Sequence, residues 1–490
     1  MKKKLTTSIL IFAFLLVSCE KKDIDNIDVP IADKINAFIW KGMNTYYLWQ
    51  KEVPNLADNR FRNFDELFSF FKRFSSPETV FESLRFQPEV VDRFSIIVND
   101  YIALENSFQG ISLNSGMEFG LVRYANSNSQ IFGYVRYVIP NSDAANKGIL
   151  RGMIFNAVNG TQLTDSNFGN LLFGENSVYA IGFANYNNGN PTSNGISISL
   201  TKTELQENPL AISKVFSEGT KKIGYLLYNQ FSSSFDGELN TAFADFKTNT
   251  INELIVDLRY NGGGSVQTAT YLGSMITGQF NGQLYSKEVW NDKVLKALPA
   301  SRFVNNFTNQ IRNLDRNGDV ILNQNINSLE LTKVYFIVSS STASASELVI
   351  NSLSAYIDVQ LVGVKTVGKQ VGSITLYDSD NLLRNGPNLN TNHTYAMQPI
   401  VLEISNKDNE NHPEGFRPGT SLPGILLQEN FGNLGVLGER SDPLLDRTLT
   451  FITTGAKGKL EVKNQILHEE IFNSKLATPT SNNMYVEVKN

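Results

Sequence analysis

The sequence predicts a multidomain α+β chain, and three observations predict it. Apolar residues near the N-terminus recur at helical spacing, and a Gly- and Asn-dense stretch with short β-rich runs follows. From about residue 206, apolar strands alternate with Gly- or Ser-rich turns and helical stretches, the pattern of an α/β layer structure. A length of 490 residues exceeds what one hydrophobic core usually supports, so several domains are expected. With 41% hydrophobic and 19% charged residues the composition is globular rather than disordered. The formal charge of -5 and the scattered Lys and Arg residues leave no basic footprint for a phosphate backbone, which argues against nucleic acid as a partner.

Residues 1–4 are basic, residues 8–17 are mostly apolar, and Leu16-Val17-Ser18-Cys19 sets a small residue before the chain's single cysteine. The segment resembles a bacterial lipoprotein signal. That resemblance implies removal of residues 1–18, a lipid on Cys19, a tether over 19–30, and a place in the bacterial cell envelope, at the outer membrane on its periplasmic or surface face. A secretory signal with an incidental cysteine and a short membrane anchor are the alternatives. One cysteine allows no internal disulfide, and His393, His412 and His468 are too far apart in sequence for a metal motif. No metal or cofactor is expected.

Ile35, Phe38, Ile39, Met43 and Tyr46, then Phe64, Leu67, Phe68 and Phe71, predict a small helical domain over 31–100. A β-rich module over 101–205 contains Val138-Ile139-Pro140, Gly148-Ile149-Leu150-Arg151-Gly152 and Ala157-Val158-Asn159-Gly160. Gly148 and Gly152 suit a helix exit and a tight turn, and Asn159-Gly160 suits a hairpin. The run resembles a PDZ domain. The resemblance implies that a peptide adds as a strand beside a loop whose amides hold its terminal carboxylate, and Phe119-Gly120-Leu121 is the segment similar to that loop. A core over 206–450 carries the strand–turn–helix alternation. The tail over 451–490 is polar and poorly patterned, with nothing functional legible in it.

Ser339-Ser340-Ser341-Thr342-Ala343-Ser344-Ala345-Ser346-Glu347 joins an apolar strand to a helix. Such a turn exposes a hydroxyl at a sheet edge where helix amides favour developing negative charge, as acyl transfer needs. A Ser-rich turn before a helix is also the ordinary signature of capping. Serine needs a base, and Gly-x-Ser-x-Gly does not occur. A lysine can serve where burial depresses its pKa, and Lys369, just past the next apolar strand, would be carried to the same edge by a parallel neighbour.

Thr342-Ala343-Ser344-Ala345-Ser346-Glu347, Gly368-Lys369, Asp257-Leu258-Arg259-Tyr260-Asn261-Gly262-Gly263-Gly264 and Gly415-Phe416-Arg417-Pro418 together resemble the C-terminal-processing, or S41, serine peptidases. The resemblance implies a crotonase-like α/β protease core, a Ser344/Lys369 dyad, and cleavage of unstructured polypeptides recognised near their C-termini. It further implies an oxyanion hole from the amides of Gly263 and Ala345, with Asp257 and Arg259 fixing the glycine loop. A glutamine that many members place four residues after the lysine is Ser373 here, a candidate third member. An aspartate that some place eleven after the serine is Ala355, with Asp358 three further on. Those departures favour an alternative, a peptide-binding lipoprotein that keeps the protease fold without activity. A crotonase-like acyl-CoA enzyme would need neither the PDZ-like module nor a Ser/Lys pair. Asp315-Arg316-Asn317-Gly318-Asp319 resembles a calcium loop but has Ile326 at its twelfth position, which reads as a polar turn.

Overall fold

The computed structural model describes residues 30–457 and 468–487. Cys19 and the signal and tether segments lie outside the described residues. Among the described residues no helix is long and apolar enough to cross a membrane.

Three helices open the chain: α1 (Ile31–Tyr46), α2 (Phe64–Phe71) and α3 (Pro77–Ser83). Local signals set their ends. The Asn63 side chain accepts from the Glu66 N–H at the start of α2, and Ser76 with Pro77 starts α3. Ile35, Phe38, Ile39 and Met43 form the buried stripe of α1 expected from their spacing. They join the same apolar cluster as the central sheet, so the helices brace the core rather than enclosing one of their own.

The β-rich module comprises β1 (Met117–Arg123), β2 (Ile131–Val138), β3 (Ile154–Val158), the short helix α4 (Phe168–Phe173), β4 (Val178–Asn185) and β5 (Thr192–Thr201). It has its own core, built on Phe119, Leu121, Phe155, Ile181 and Phe183. Asn159 and Gly160 both have positive φ and turn β3 back onto Thr161–Gln162, as the Asn-Gly pair predicts. Phe119-Gly120-Leu121 does not form a loop. It lies inside β1, because Phe-Gly-Leu-Val continues the strand's apolar run and pairs with β2 throughout.

The central sheet is built from β6 (Leu210–Glu218), β7 (Lys221–Tyr228), α5 (Asp236–Thr248) and β8 (Glu253–Asp257). The chain continues through the short strand β9 (Gly264–Ser265), α6 (Val266–Thr277), β10 (Lys333–Val338), α7 (Ala345–Ser354) and β11 (Asp358–Gly363). Next come β12 (Val371–Ser373), β13 (Ile400–Ser405), β14 (Gly424–Leu426) and α8 (Pro443–Thr454). Of these strands, β9, β12 and β13 belong to a second sheet. Strand order in the central sheet is β6-β7-β8-β10-β11-β14, antiparallel only at β6/β7. β8, β10 and β11 are nearly all buried, which fits their unbroken apolar runs between helical layers. Because these three strands are adjacent and parallel, the loops leaving them meet at one edge of the sheet.

Two last strands come from the tail: β15 (Glu470–Asn473), antiparallel to β1, and β16 (Met484–Tyr485), seated between β9 and β12. The expectation that the tail holds nothing of consequence is therefore corrected. Strands of four and two residues, paired with partners hundreds of residues away, leave no periodicity for sequence to reveal.

Candidate active site

The three loops at the sheet edge carry the glycine run after β8, the Ser-rich turn after β10 and Lys369 after β11. In the Ser-rich turn, Ser339, Thr342 and Ser346 donate to the backbone carbonyls of Arg259, Leu258 and Asn261, tying the turn to the glycine loop. Ser344 does something else. Its φ of 66° is left-handed, a costly conformation for a residue with a Cβ, and its buried Oγ has no hydrogen-bond partner among the described residues. The residue at the head of α7 thus does not cap the helix with its hydroxyl.

Glu347 organises the site. Its carboxylate accepts from the N–H groups of Ser344 (2.9 Å), Gly368 (2.7 Å) and Lys369 (2.8 Å) and from the Thr366 hydroxyl. One buried side chain thereby fixes the serine turn and the lysine loop to each other. Burial pushes its carboxyl up, opposed by those four donors.

Lys369 is 2% exposed, with Nζ 4.7 Å from the centre of the Phe94 ring and donating to the Asn482 carbonyl at 2.6 Å. Burial brings its ammonium from the usual 10.5 down to about 7; Asp92 and Glu347 favour the charge and Arg93 opposes it. Gly263 and Gly264 have φ of 109° and 137°, and a Cβ on Gly263 would lie 2.6 Å from Ser344 Cβ, so glycine is required where the loop approaches the serine.

Two family models match the chain: peptidase family S41 over residues 222–384 and the peptidase S41 N-terminal domain over 34–96. Both matched regions are similar to peptidase family S41. A CtpA-like serine protease of Staphylococcus epidermidis is 24% identical to this chain over 180 residues, 37% of this chain and 32% of that protein. The chain therefore spans about a third of the length of the curated relatives it matches. The structure of an S41 protease from Bacteroides fragilis superposes with a TM-score of 0.62 at 22% identity, covering 86% of this chain and 97% of the other. The shared architecture is the mixed α/β S41 fold with an N-terminal helical region.

Ser344, Lys369, Gly263 and Ala345 come together at the sheet edge, with two differences from expectation. The Gly263 N–H donates to Asn261 Oδ1 at 2.8 Å, so that amide is engaged within its own loop. Ala345 opens α7, where first-turn amides have no intrahelical carbonyl. The Ser373 hydroxyl bonds to Asn483 Oδ1 (3.1 Å) and the Met484 carbonyl (3.2 Å) rather than to Lys369, whose Nζ bonds to the neighbouring Asn482 carbonyl. Asp358 is removed from the site by its ion pair with Lys333 at the far end of β11. Asp257 and Arg259 do pair beneath the glycine loop. Asp315 accepts from the Asn317 and Asp319 amides in the turn joining Gln310–Leu314 to Val320–Asn325.

Sequence reading missed the role of Glu347. The signal was present, since a glutamate three residues after an N-terminal serine is the capping-box spacing. It also missed Asp92, Phe94 and residues 482–484, which no local pattern marks.

The lowered pKa of Lys369 has a thermodynamic consequence. Below about pH 7 the fold must hold a buried ammonium, whereas an unfolded chain keeps that proton in water up to about 10.5. The cost is full below 7 and disappears as pH rises toward 10.5. Lys369→Met is expected to raise the melting temperature at pH 6 by on the order of a few degrees, with the gain shrinking as pH rises. Melting curves at pH 6 and 9 check this; an equal shift at both would refute the lowered pKa.

Proposed function

We propose that the chain is a serine endopeptidase cutting unstructured polypeptides through a Ser344/Lys369 dyad. One observation carries the reading: the backbone N–H groups of Ser344, strained and with its hydroxyl unbonded among the described residues, and of Lys369, whose ammonium is brought to about 7, are both held by the Glu347 carboxylate. Ser344 Oγ forms a bond to the scissile carbonyl carbon as its proton passes to neutral Lys369 Nζ. The carbon–nitrogen bond then breaks, the proton leaves with the amine, and water hydrolyses the acyl-enzyme. The amide of Ala345 supports the developing oxyanion, and that of Gly263 joins it once released from Asn261. For Lys369 to reach Ser344 it must exchange its bond to the Asn482 carbonyl. The core is read as crotonase-like, and the β-rich module as PDZ-like, supported by its hairpin and turn glycines.

The alternative, a peptide binder without activity, is favoured by one fact: Ser344 Oγ and Lys369 Nζ are not hydrogen-bonded to each other. Incubation with a fluorophosphonate probe and an unfolded protein, followed by mass spectrometry, decides. An adduct on Ser344, absent in Ser344→Ala, together with peptide products is expected. A folded chain that gives neither adduct nor products leaves the binder.

A further inference from the structure

Residues 468–487 run across both places where a polypeptide would be held. At the module, β15 pairs antiparallel with β1, Phe472 opposite Leu121 and Asn473 opposite Gly120. The Phe472 ring lies 5.2 Å from that of Phe168 and 5.4 Å from that of Phe173, which stacks on Phe119. This is strand addition with an aromatic anchor, the mode by which sheet edges bind peptides. Ten residues past Phe472 the same segment enters the cleft. The Asn482 carbonyl takes the bond of Lys369, and Asn483 lies against Gly263 and Ser373. Met484 and Tyr485 then pair in parallel with Gly264 and Ser265. A cavity of about 70 Å³ lies between the two seats, bordered by Glu118, Arg136, Gly262, Ser341, Lys475 and Asn482.

The resident chain runs on through the groove and does not end in it. The Phe119 N–H donates to the Ser474 hydroxyl at 3.0 Å, and that hydroxyl donates to Glu118. Glu118 and Glu207 border this part of the groove, and Arg136 and Lys475 offset their charge. The chain passes onward, its Glu470 held by Arg136 and Tyr134.

We propose that the β1 groove and the Ser344 cleft form one channel that reads an internal extended strand of a polypeptide, and that residues 468–487 are its resident occupant, which substrate must displace. The inhibitory half of this rests on the peptidase reading of Ser344; the binding half does not. Between the two seats, the turn Ser474–Ala477 buries none of its side chains, so the span crossing the cavity is held by polar contacts rather than by a core.

The test uses the full chain with Phe472→Asp, which places a charge in the aromatic seat. In a Ser344→Ala background, fluorescein-labelled peptide 468–487 should bind the Phe472→Asp protein at least tenfold more tightly than the otherwise unchanged protein, by anisotropy. A peptide ending at Ser474 should bind no better as free acid than as amide. With Ser344 intact, Phe472→Asp should cleave an unstructured peptide at least tenfold faster, and added peptide 468–487 should reverse the gain. Should Phe472→Asp melt early, Glu470→Gln, which removes the Arg136 ion pair and keeps the apolar contacts, carries the same test. A folded variant that neither captures the peptide nor gains activity overturns the proposal and makes the segment a fixed part of the core. Peptide capture without turnover or probe labelling in any variant would uphold the channel and strike the peptidase reading alone.

Discussion

Lys369→Arg is expected to lower the cleavage rate of an unstructured peptide by about 10⁴-fold or more, and Ser344→Ala by a similar factor. The guanidinium stays charged at every workable pH, so it cannot accept the Ser344 proton, however well it fills the space. Below about pH 7 the wild-type rate should fall about tenfold per pH unit as Lys369 becomes protonated, and above it should level off. The double variant should be no slower than either single one, because nucleophile and base act as a unit. Steady-state rates across pH 5 to 9, with melting curves confirming that each variant is folded, make the measurement. Substantial turnover by folded Lys369→Arg would require another base.

Arg259→Met should cost about 3–5 kcal/mol of stability, the usual penalty for stripping one partner from a buried ionic group. Arg259 is fully buried, bound to Asp257 through Nε (3.0 Å) and Nη2 (2.6 Å), and paired with Asp442 at 2.7 Å and Glu429 at 3.1 Å. Burial pushes Glu429 up, but Arg151 and Arg259 outweigh it and bring the carboxyl down to about 2. Without Arg259 the remaining carboxylates confront each other inside the protein. A carboxylate with a depressed pKa stabilises the fold above its ordinary value of 4.5 and loses that contribution as pH falls toward 2. The deficit of Arg259→Met should therefore be largest at neutral pH and narrow on acidification. Chemical denaturation at pH 7 and 4 checks this; a deficit independent of pH would mean lost packing rather than lost charge. The Arg259 carbonyl also accepts from Ser339, so the damage should reach the serine turn.

The placement of Ser344 and Lys369 at one edge of the sheet was legible because each comes just after an apolar run, and adjacent parallel strands deliver their outgoing loops to the same edge. Asn159-Gly160 was legible because its turn is decided by two residues alone. Phe119-Gly120-Leu121 was misread because a Phe-Gly pair fits a strand as well as a loop, and only pairing with β2 distinguishes them. The commitment of the Gly263 amide depended on where the Asn261 side chain turned, which no spacing encodes. Ser373 was chosen for its distance along the chain from Lys369, yet strand alternation points it at residues 483 and 484 instead. The tail was illegible for another reason: Met484 finds its partner at Gly264, so its structure is wholly non-local.

Met484 and Tyr485 lie between Gly264–Ser265 and Ser373. Neighbouring strands stand about 4.8 Å apart, so this seat spans about 10 Å between its flanking strands and offers hydrogen bonds only to extended backbone. A helix fills about 10–12 Å with its side chains and keeps its backbone bonds to itself, and so cannot enter. If substrates take this seat, the quantity that sorts them is the free energy needed to open them locally. Each increment of about 1.4 kcal/mol in local stability lowers the open fraction about tenfold and slows cutting in proportion. Two proteins with the same cleavable sequence would then differ in lifetime by the firmness of the fold around it.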